Sequence, residues 1–402
     1  MRVCLLSTFY PPWSFGGDGI QVRRLARLLA EAGHEVTVAH SPRVHGVLAR
    51  EPVHAEPVDA AIEVMALDES LPSLVGAYAA GRPFRARRQL ESLLARDFDV
   101  VHFHNPSLLG APALFGMASA PTLYTAHEQW LLCPGHDLWR GAAGGLCEHP
   151  PCRRCELAHL RPPQPWRRTD QLERHLPALD ALIAPSRASA RLHARFADRV
   201  PVRVIDHFVP DPGEGAEPVR AGTGPYFLYA GRLEPIKGAA SLVDAFRGRR
   251  ERLVVAGDGS RLGRLRRRAS ANVEFAGWVS EERLDALYRG ALAVVVPTLG
   301  HEAFGLVAAE AFARGVAVLV HDFGALGDLA ADTGAALTYR GRAELSAALD
   351  RLAADAGLRR DLGRRGRAAY LARFTPERHL RAYTALVGEL SGHAARPVAT
   401  SA

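Results

Sequence analysis

One lysine stands among the 50 Lys and Arg residues of this chain, and it falls in Tyr229-Ala-Gly-Arg-Leu-Glu-Pro-Ile-Lys-Gly238. A segment that keeps a compact ammonium where every other basic side chain is a guanidinium needs a point charge rather than a fork, as a diphosphate bound end-on does. Arg232 lies in the same segment, and Gly231 and Gly238 flank the pair, so two cations are available to neutralise a leaving diphosphate. Downstream, His301-Glu-Ala-Phe-Gly-Leu-Val-Ala-Ala-Glu310 places two carboxylates around a Phe-Gly that opens a helix. Glu302 precedes that helix and can accept from sugar hydroxyls. Glu310, in a helix expected from about residue 304, carries two acceptor oxygens, enough for both hydroxyls of a ribose. The backbone N–H groups of Phe304, Gly305 and Leu306 at the helix start suit sugar or phosphate oxygens. Together these residues suggest a nucleotide sugar. The plainer reading of each is a turn cation, a solvated glutamate or a glutamate placed by the helix dipole.

Three further features carry chemistry. Gly16-Gly17 follows the first apolar run and has no side chain to hold a phosphate away from the backbone, although an ordinary glycine turn reads the same way. His127, in Tyr124-Thr-Ala-His-Glu128, ends a strand; such a histidine is either structural or set beside a reacting group. Cys133, Cys147, Cys152 and Cys155 form a C-x13-C-x4-C-x2-C run inside a Gly/Pro-rich insertion at about 130–165. Four thiolates on one tetrahedral ion would order a segment with little apolar material, so structural zinc is the first expectation. An iron–sulfur centre, a disulfide pair or free thiols are the other readings of that spacing. Trp130, Trp139, Trp166, Arg161, Arg167 and Arg168 lie near these cysteines and could present a face to a sugar or an anionic lipid carrier, or pack as an ordinary loop.

These residues need elements to hold them. Apolar runs at 3–8, 35–39, 61–66, 99–104, 122–125, 181–184 and 202–205 alternate with helical stretches, a pattern that implies a parallel sheet covered on both faces. A second series follows the Gly/Pro/Glu-rich stretch 210–225, with strands at 226–230, 252–256, 273–276, 291–296 and 317–320 and helices between them. The expected architecture is therefore α/β, with two doubly wound Rossmann-like domains facing a cleft. Residues 1–205 form the first and 206–376 the second. Residues 377–402 are left as a C-terminal helix and an unstructured tail. In such sheets ligands bind beyond the carboxyl ends of the strands.

At 402 residues and 48% hydrophobic, the chain is too long for one small core. A net charge of +7 suits anionic partners, but the arginines are spread along the chain rather than concentrated with aromatics, which argues against a nucleic-acid reader. No stretch approaches the apolar length needed to span a bilayer, and the first residues read as a strand rather than a signal peptide. The expected location is cytoplasmic. A nicotinamide enzyme is the obvious rival on this architecture, but Gly17-Asp-Gly19-Ile-Gln-Val22 has valine where the third glycine of the dinucleotide fingerprint belongs, and Gly257-Asp-Gly259-Ser-Arg-Leu-Gly263 misses it by one position.

The Gly16-Gly17 turn, Gly33-His-Glu-Val36, Gly231-Arg232 to Lys237-Gly238, Gly257-Asp-Gly259, Phe275-Ala-Gly-Trp278 and the Glu302 to Glu310 spacing resemble the retaining glycosyltransferases of the GT-B fold, family 4. The resemblance implies a nucleoside-diphosphate-sugar donor held mainly by the second domain, an acceptor on the first, and transfer with retention and no catalytic metal. By that likeness Arg232 and Lys237 hold the diphosphate, Glu310 the ribose and Glu302 the donor sugar, with His127 near the transferred sugar. The expected role is addition of a hexose-type sugar to a glycan or lipid-linked acceptor in cell-envelope or exopolysaccharide synthesis, at the inner face of the membrane where the acceptor is a lipid. A natural-product glycosyltransferase and a catalytically silent sugar-nucleotide-binding scaffold are the alternatives.

Overall fold

The computed structural model describes residues 1–14, 16–48, 59–140, 145–147, 155–156, 162–213 and 224–392. The chain separates into two compact units, one bounded by Met1–Ala142, Cys147–Ile205 and His379–Ala402, the other by Ala143–Leu146 and Asp206–Arg378. The last helix, Pro376–Ser391, set apart in the sequence reading, is from His379 onward a part of the first unit. Most of the segment expected as a linker, and the tail beyond residue 392, lie outside the described residues.

Among the described residues the first unit carries seven strands: β1 (Arg2–Ser7), β2 (Glu35–His40), β3 (Ile62–Ala66), β4 (Val100–His104), β5 (Thr122–Thr125), β6 (Ala181–Ala184) and β7 (Val202–Val204). They lie in the order β3-β2-β1-β4-β5-β6-β7, every pair parallel. The central strands explain the continuous apolar runs in the sequence. All of β4, β5 and β6 is buried, because helices cover both faces of a parallel sheet and no alternation toward water is left. The helix Gly17–Glu31 turns Val22, Leu25, Ala26 and Leu29 inward, the spacing of one helical stripe.

The second unit repeats the plan with six strands among the described residues: β8 (Tyr226–Ala230), β9 (Arg252–Ala256), β10 (Val273–Gly277), β11 (Val294–Val296), β12 (Val318–His321) and β13 (Ala336–Tyr339). Their order is β10-β9-β8-β11-β12-β13, again wholly parallel. Chain order reverses direction between β1 and β4 in the first sheet and between β8 and β11 in the second. At such a point the loops leaving two neighbouring strands diverge to opposite faces and open a crevice. Gly16 and Gly17 follow β1. Lys237 follows β8, and Glu302 follows β11.

Candidate active site

Three glycines shape the second sheet's carboxyl edge. Gly231, Gly257 and Gly277 directly follow or end β8, β9 and β10, with φ of 145°, 134° and 68°. A Cβ on Gly257 would stand 2.1 Å from the Gly231 carbonyl oxygen, so this close approach of two chains requires glycine. After Arg232 a single turn, Pro235–Lys237, leads into the helix Ala239–Ala245 through Gly238, whose φ is 71°. A Cβ there would meet the Pro297 carbonyl oxygen at 1.9 Å, and Leu299 N–H donates to the Ile236 carbonyl at 2.8 Å. The loops after β8 and β11 are thus laced together at the switch point.

That lacing brings the predicted lysine and glutamate into contact. Lys237 Nζ lies 2.6 Å from Glu302 Oε1, and the Thr298 hydroxyl donates to the same oxygen at 2.8 Å. Burial works against the Glu302 charge, but the Lys237 charge and hydrogen bond, the Thr298 bond and the nearby Arg232 outweigh it and hold the carboxyl below its usual range. Thr298 is itself fixed, since its carbonyl accepts from His321 Nδ1 at 3.0 Å. Arg232 is exposed, and its carbonyl accepts the buried Tyr229 hydroxyl at 2.7 Å.

The helix expected from about residue 304 begins at Leu306 and runs to Ala313. Phe304 is buried, and Gly305, at φ 108°, makes the turn into the helix, with no side chain capping its start. Glu310 stands in the second turn, as expected, and its Oε2 accepts the Tyr288 hydroxyl at 2.9 Å. Arg314 lies 4.8 Å over the Tyr288 ring and pairs with Asp285 at 2.7 Å, while donating to the Glu310 carbonyl at 2.9 Å. The sequence reading missed Thr298 and Tyr288. The Thr298–Glu302 spacing was a usable signal, but nothing in the sequence marked Tyr288.

His127 and the Gly16-Gly17 turn belong to the first unit. Gly16 has φ 88° and precedes the helix Gly17–Glu31, whose Asp18 accepts from Asn105 Nδ2 at 2.7 Å. His127 Nε2 lies 2.8 Å from His104 Nδ1, and burial pushes its pKa down to about 4.

The cysteine run is only partly described, and Cys152 lies outside the described residues, as does Arg161. Cys133 is buried and its sulfur accepts from Gly135 N–H at 3.2 Å; the Cys155 thiol is 3.6 Å from the Trp139 carbonyl oxygen; Cys147 is half-buried. Among the described residues no three His, Cys, Asp or Glu side chains are grouped to hold a metal. Of the two readings of the nearby aromatics, packing is the one the structure favours. Trp130, Trp139 and Trp166 are buried, and Arg167 stacks over Trp130 and Trp166 at 5.4 and 4.5 Å while donating to the carbonyls of Trp130 and Leu131. Trp130 and Trp166 pack in one core cluster with Leu131, Leu132 and Leu138, so these rings serve the core of the first unit.

Two family models match the chain: Glycosyltransferase Family 4 over residues 15–211 and Glycosyl transferases group 1 over residues 215–369. A D-inositol 3-phosphate glycosyltransferase of Xylanimonas cellulosilytica is 30% identical, with 92% of each chain covered. The chain belongs to the group 1 glycosyltransferases. Solved structures agree on the GT-B fold of this glycosyltransferase. Sucrose-phosphate synthase from Thermosynechococcus elongatus superimposes with a TM-score of 0.73 at 20% identity, covering 98% of this chain and 99% of that one. The Anabaena protein HepE in complex with UDP-glucose gives 0.71 at 16% identity, covering 97% and 100%. Among the described residues of the glycosyltransferase, no helix is long and apolar enough to cross a membrane.

Proposed function

We propose that this chain is a retaining hexosyltransferase that takes a nucleoside-diphosphate sugar as donor and a glycan or lipid-linked molecule as acceptor, in cell-envelope or exopolysaccharide synthesis. The observation that carries the reading is the Lys237–Glu302 pair, formed by the two loops of the switch point with Arg232 close by. A cation already held by a carboxylate is oriented before a ligand arrives, so little reorganisation is needed when charge develops on a leaving diphosphate.

The roles follow from this chain's own groups. Lys237 and Arg232 take the diphosphate charge. Glu302 Oε1 is occupied by Lys237 and Thr298, so Oε2 is assigned to a donor-sugar hydroxyl. Glu310, oriented by Tyr288, accepts the ribose hydroxyls. The N–H groups of Phe304, Gly305 and Leu306 face donor oxygens, and Gly16-Gly17 and His127 serve the acceptor and the transferred sugar. A diphosphate is a good leaving group that needs charge stabilisation more than protonation, so we favour attack from the leaving-group face, with the departing phosphate taking the acceptor proton and no catalytic metal. Cys133, Cys147, Cys152 and Cys155 are assigned a structural zinc, which metal analysis of the purified protein tests; absence of stoichiometric zinc would sink that assignment. The protein is placed in the cytoplasm, in peripheral contact with the membrane where the acceptor is a lipid.

The name of the Xylanimonas relative favours a second acceptor reading, a soluble polyol phosphate such as an inositol phosphate. Thermal unfolding with UDP, GDP, dTDP, ADP and NAD, on the wild type and on Lys237→Ala and Glu310→Ala, tests the donor site. Stabilisation by one nucleoside diphosphate that both variants lose is expected. Stabilisation by NAD alone, or by no nucleotide, would remove the basis of the proposal. Transfer assays with inositol phosphate and with lipid-linked glycans then separate the acceptors.

A further inference from the structure

The first unit buries a row of imidazoles behind His127. β4 ends in His102-Phe-His104, and its two histidines are 1% and 2% exposed. Two residues apart on a strand, they lie on one face of the sheet, with ring centroids 3.8 Å apart. His104 pairs in register with Thr125 at the end of β5, two residues before His127, which brings His104 Nδ1 within 2.8 Å of His127 Nε2. His102 Nε2 lies 2.7 Å from the Thr125 hydroxyl, and its other side stacks on Tyr383 of the last helix at 5.5 Å. His104 is thereby held in the sheet, against His102 on one side and His127 on the other.

A core position of this kind is filled at lower cost by an apolar ring, because a buried imidazole has polar atoms to satisfy. One thing His104 adds over such a ring is the bond to His127. Two imidazoles joined by one N–H···N bond share one proton between the facing nitrogens, so the bond fixes the plane of the second ring, and the direction of donation fixes which of its nitrogens carries the proton.

We infer that His104 is a positioning residue for His127, setting its ring plane and tautomer through the Nδ1···Nε2 hydrogen bond. The inference rests on the reading that His127 serves the transfer reaction, and the test separates the two. Steady-state kinetics of the full-length protein are compared for His127→Ala, His104→Phe and His104→Asn, with thermal unfolding of each. Phe keeps the ring and loses the nitrogen. Asn loses the ring and restores an amide near the Nδ1 position. His104→Phe is expected to lower kcat about tenfold or more with the donor KM within about twofold, since misplacing a group near the reacting atoms costs rate before binding. His104→Asn is expected to recover most of that loss. Wild-type kcat in His104→Phe, or an equal loss in both variants at position 104, would mean that the residue only packs. Unchanged kcat in His127→Ala would instead show that the role given to His127 is wrong, and the inference would fall with it. A nitrogen-15 spectrum of the wild type gives a reading that needs no variant to fold: one neutral tautomer at His127 supports the inference, and a mixture of two overturns it.

Discussion

The Lys237–Glu302 pair allows a quantitative test of the site by a double-mutant cycle on Lys237→Met and Glu302→Gln. The side chains are 26% and 20% exposed, so the pair is worth less than the roughly 3–5 kcal/mol lost when a fully buried pair is broken from one side. In Lys237→Met the carboxylate keeps Thr298 but loses its main counter-charge, and burial, the largest influence on Glu302, is then opposed only weakly. The expected cost is about 2 kcal/mol, or about 4–8 °C in the melting of a unit this size. Glu302→Gln leaves the ammonium a neutral acceptor and a path to solvent, for about 1 kcal/mol. The double variant strands no charge and is expected to lose only about 1–1.5 kcal/mol, a coupling of about 1.5–2 kcal/mol. The assay is chemical denaturation followed by a probe in the second unit, repeated with saturating nucleoside diphosphate. Ligand is expected to stabilise the wild type and Glu302→Gln, and Lys237→Met less, by about 1.4 kcal/mol for each tenfold loss of affinity. Single-variant effects that add within about 0.5 kcal/mol would refute the reasoning, because the contact would then be a surface pair with no preorganising role.

Three further outcomes are expected. Gly257→Ala places a Cβ 2.1 Å from the Gly231 carbonyl at φ 134° and should cost at least about 2 kcal/mol together with nucleoside-diphosphate affinity; an unchanged melting temperature with unchanged affinity would contradict the close approach. Tyr288→Phe removes the hydroxyl on Glu310 and should weaken nucleoside-diphosphate binding about fivefold, the equivalent of one ordinary hydrogen bond, with kcat at saturation preserved; isothermal titration reads it directly. His40 is buried, and burial pushes its pKa from 6.5 to about 4. The unfolded chain therefore binds this proton first, and the native state should hold full stability above about pH 6.5 and lose up to about 3 kcal/mol as pH falls toward 4. Denaturation curves at several pH values should show the loss, and His40→Phe should flatten it.

How much of this could be read from the sequence depends on whether the cause is local. β5, β6, β8 and β9 were placed to the residue because burial on both faces writes itself as an uninterrupted apolar run. β13 was missed because it is an edge strand: of Ala336–Tyr339 only the tyrosine is buried. The helix Ala356–Ala369 was missed because five arginines and three glycines interrupt its stripe, and only Leu362, Gly363 and Gly366 face inward. The same division holds at the site. Lys237 and Glu302 were legible as types, one by rarity and the other by its spacing from Glu310, but their contact was not. It exists because β11 pairs directly with β8 across two strands and three helices of intervening chain, a choice made by the whole sheet, which the lacing of the two loops then completes. His104 and Tyr288 were illegible for the same reason, since each acts on a residue brought to it by strand register or helix packing. The tryptophans near the cysteines show the same limit: the sequence left them open between a binding face and loop packing, and the fold puts Trp130 and Trp166 in the core. In this fold the groups proposed to face the ligand are chosen by chemistry and can be found by type, whereas the groups that hold them are chosen by topology and require the sheet order first.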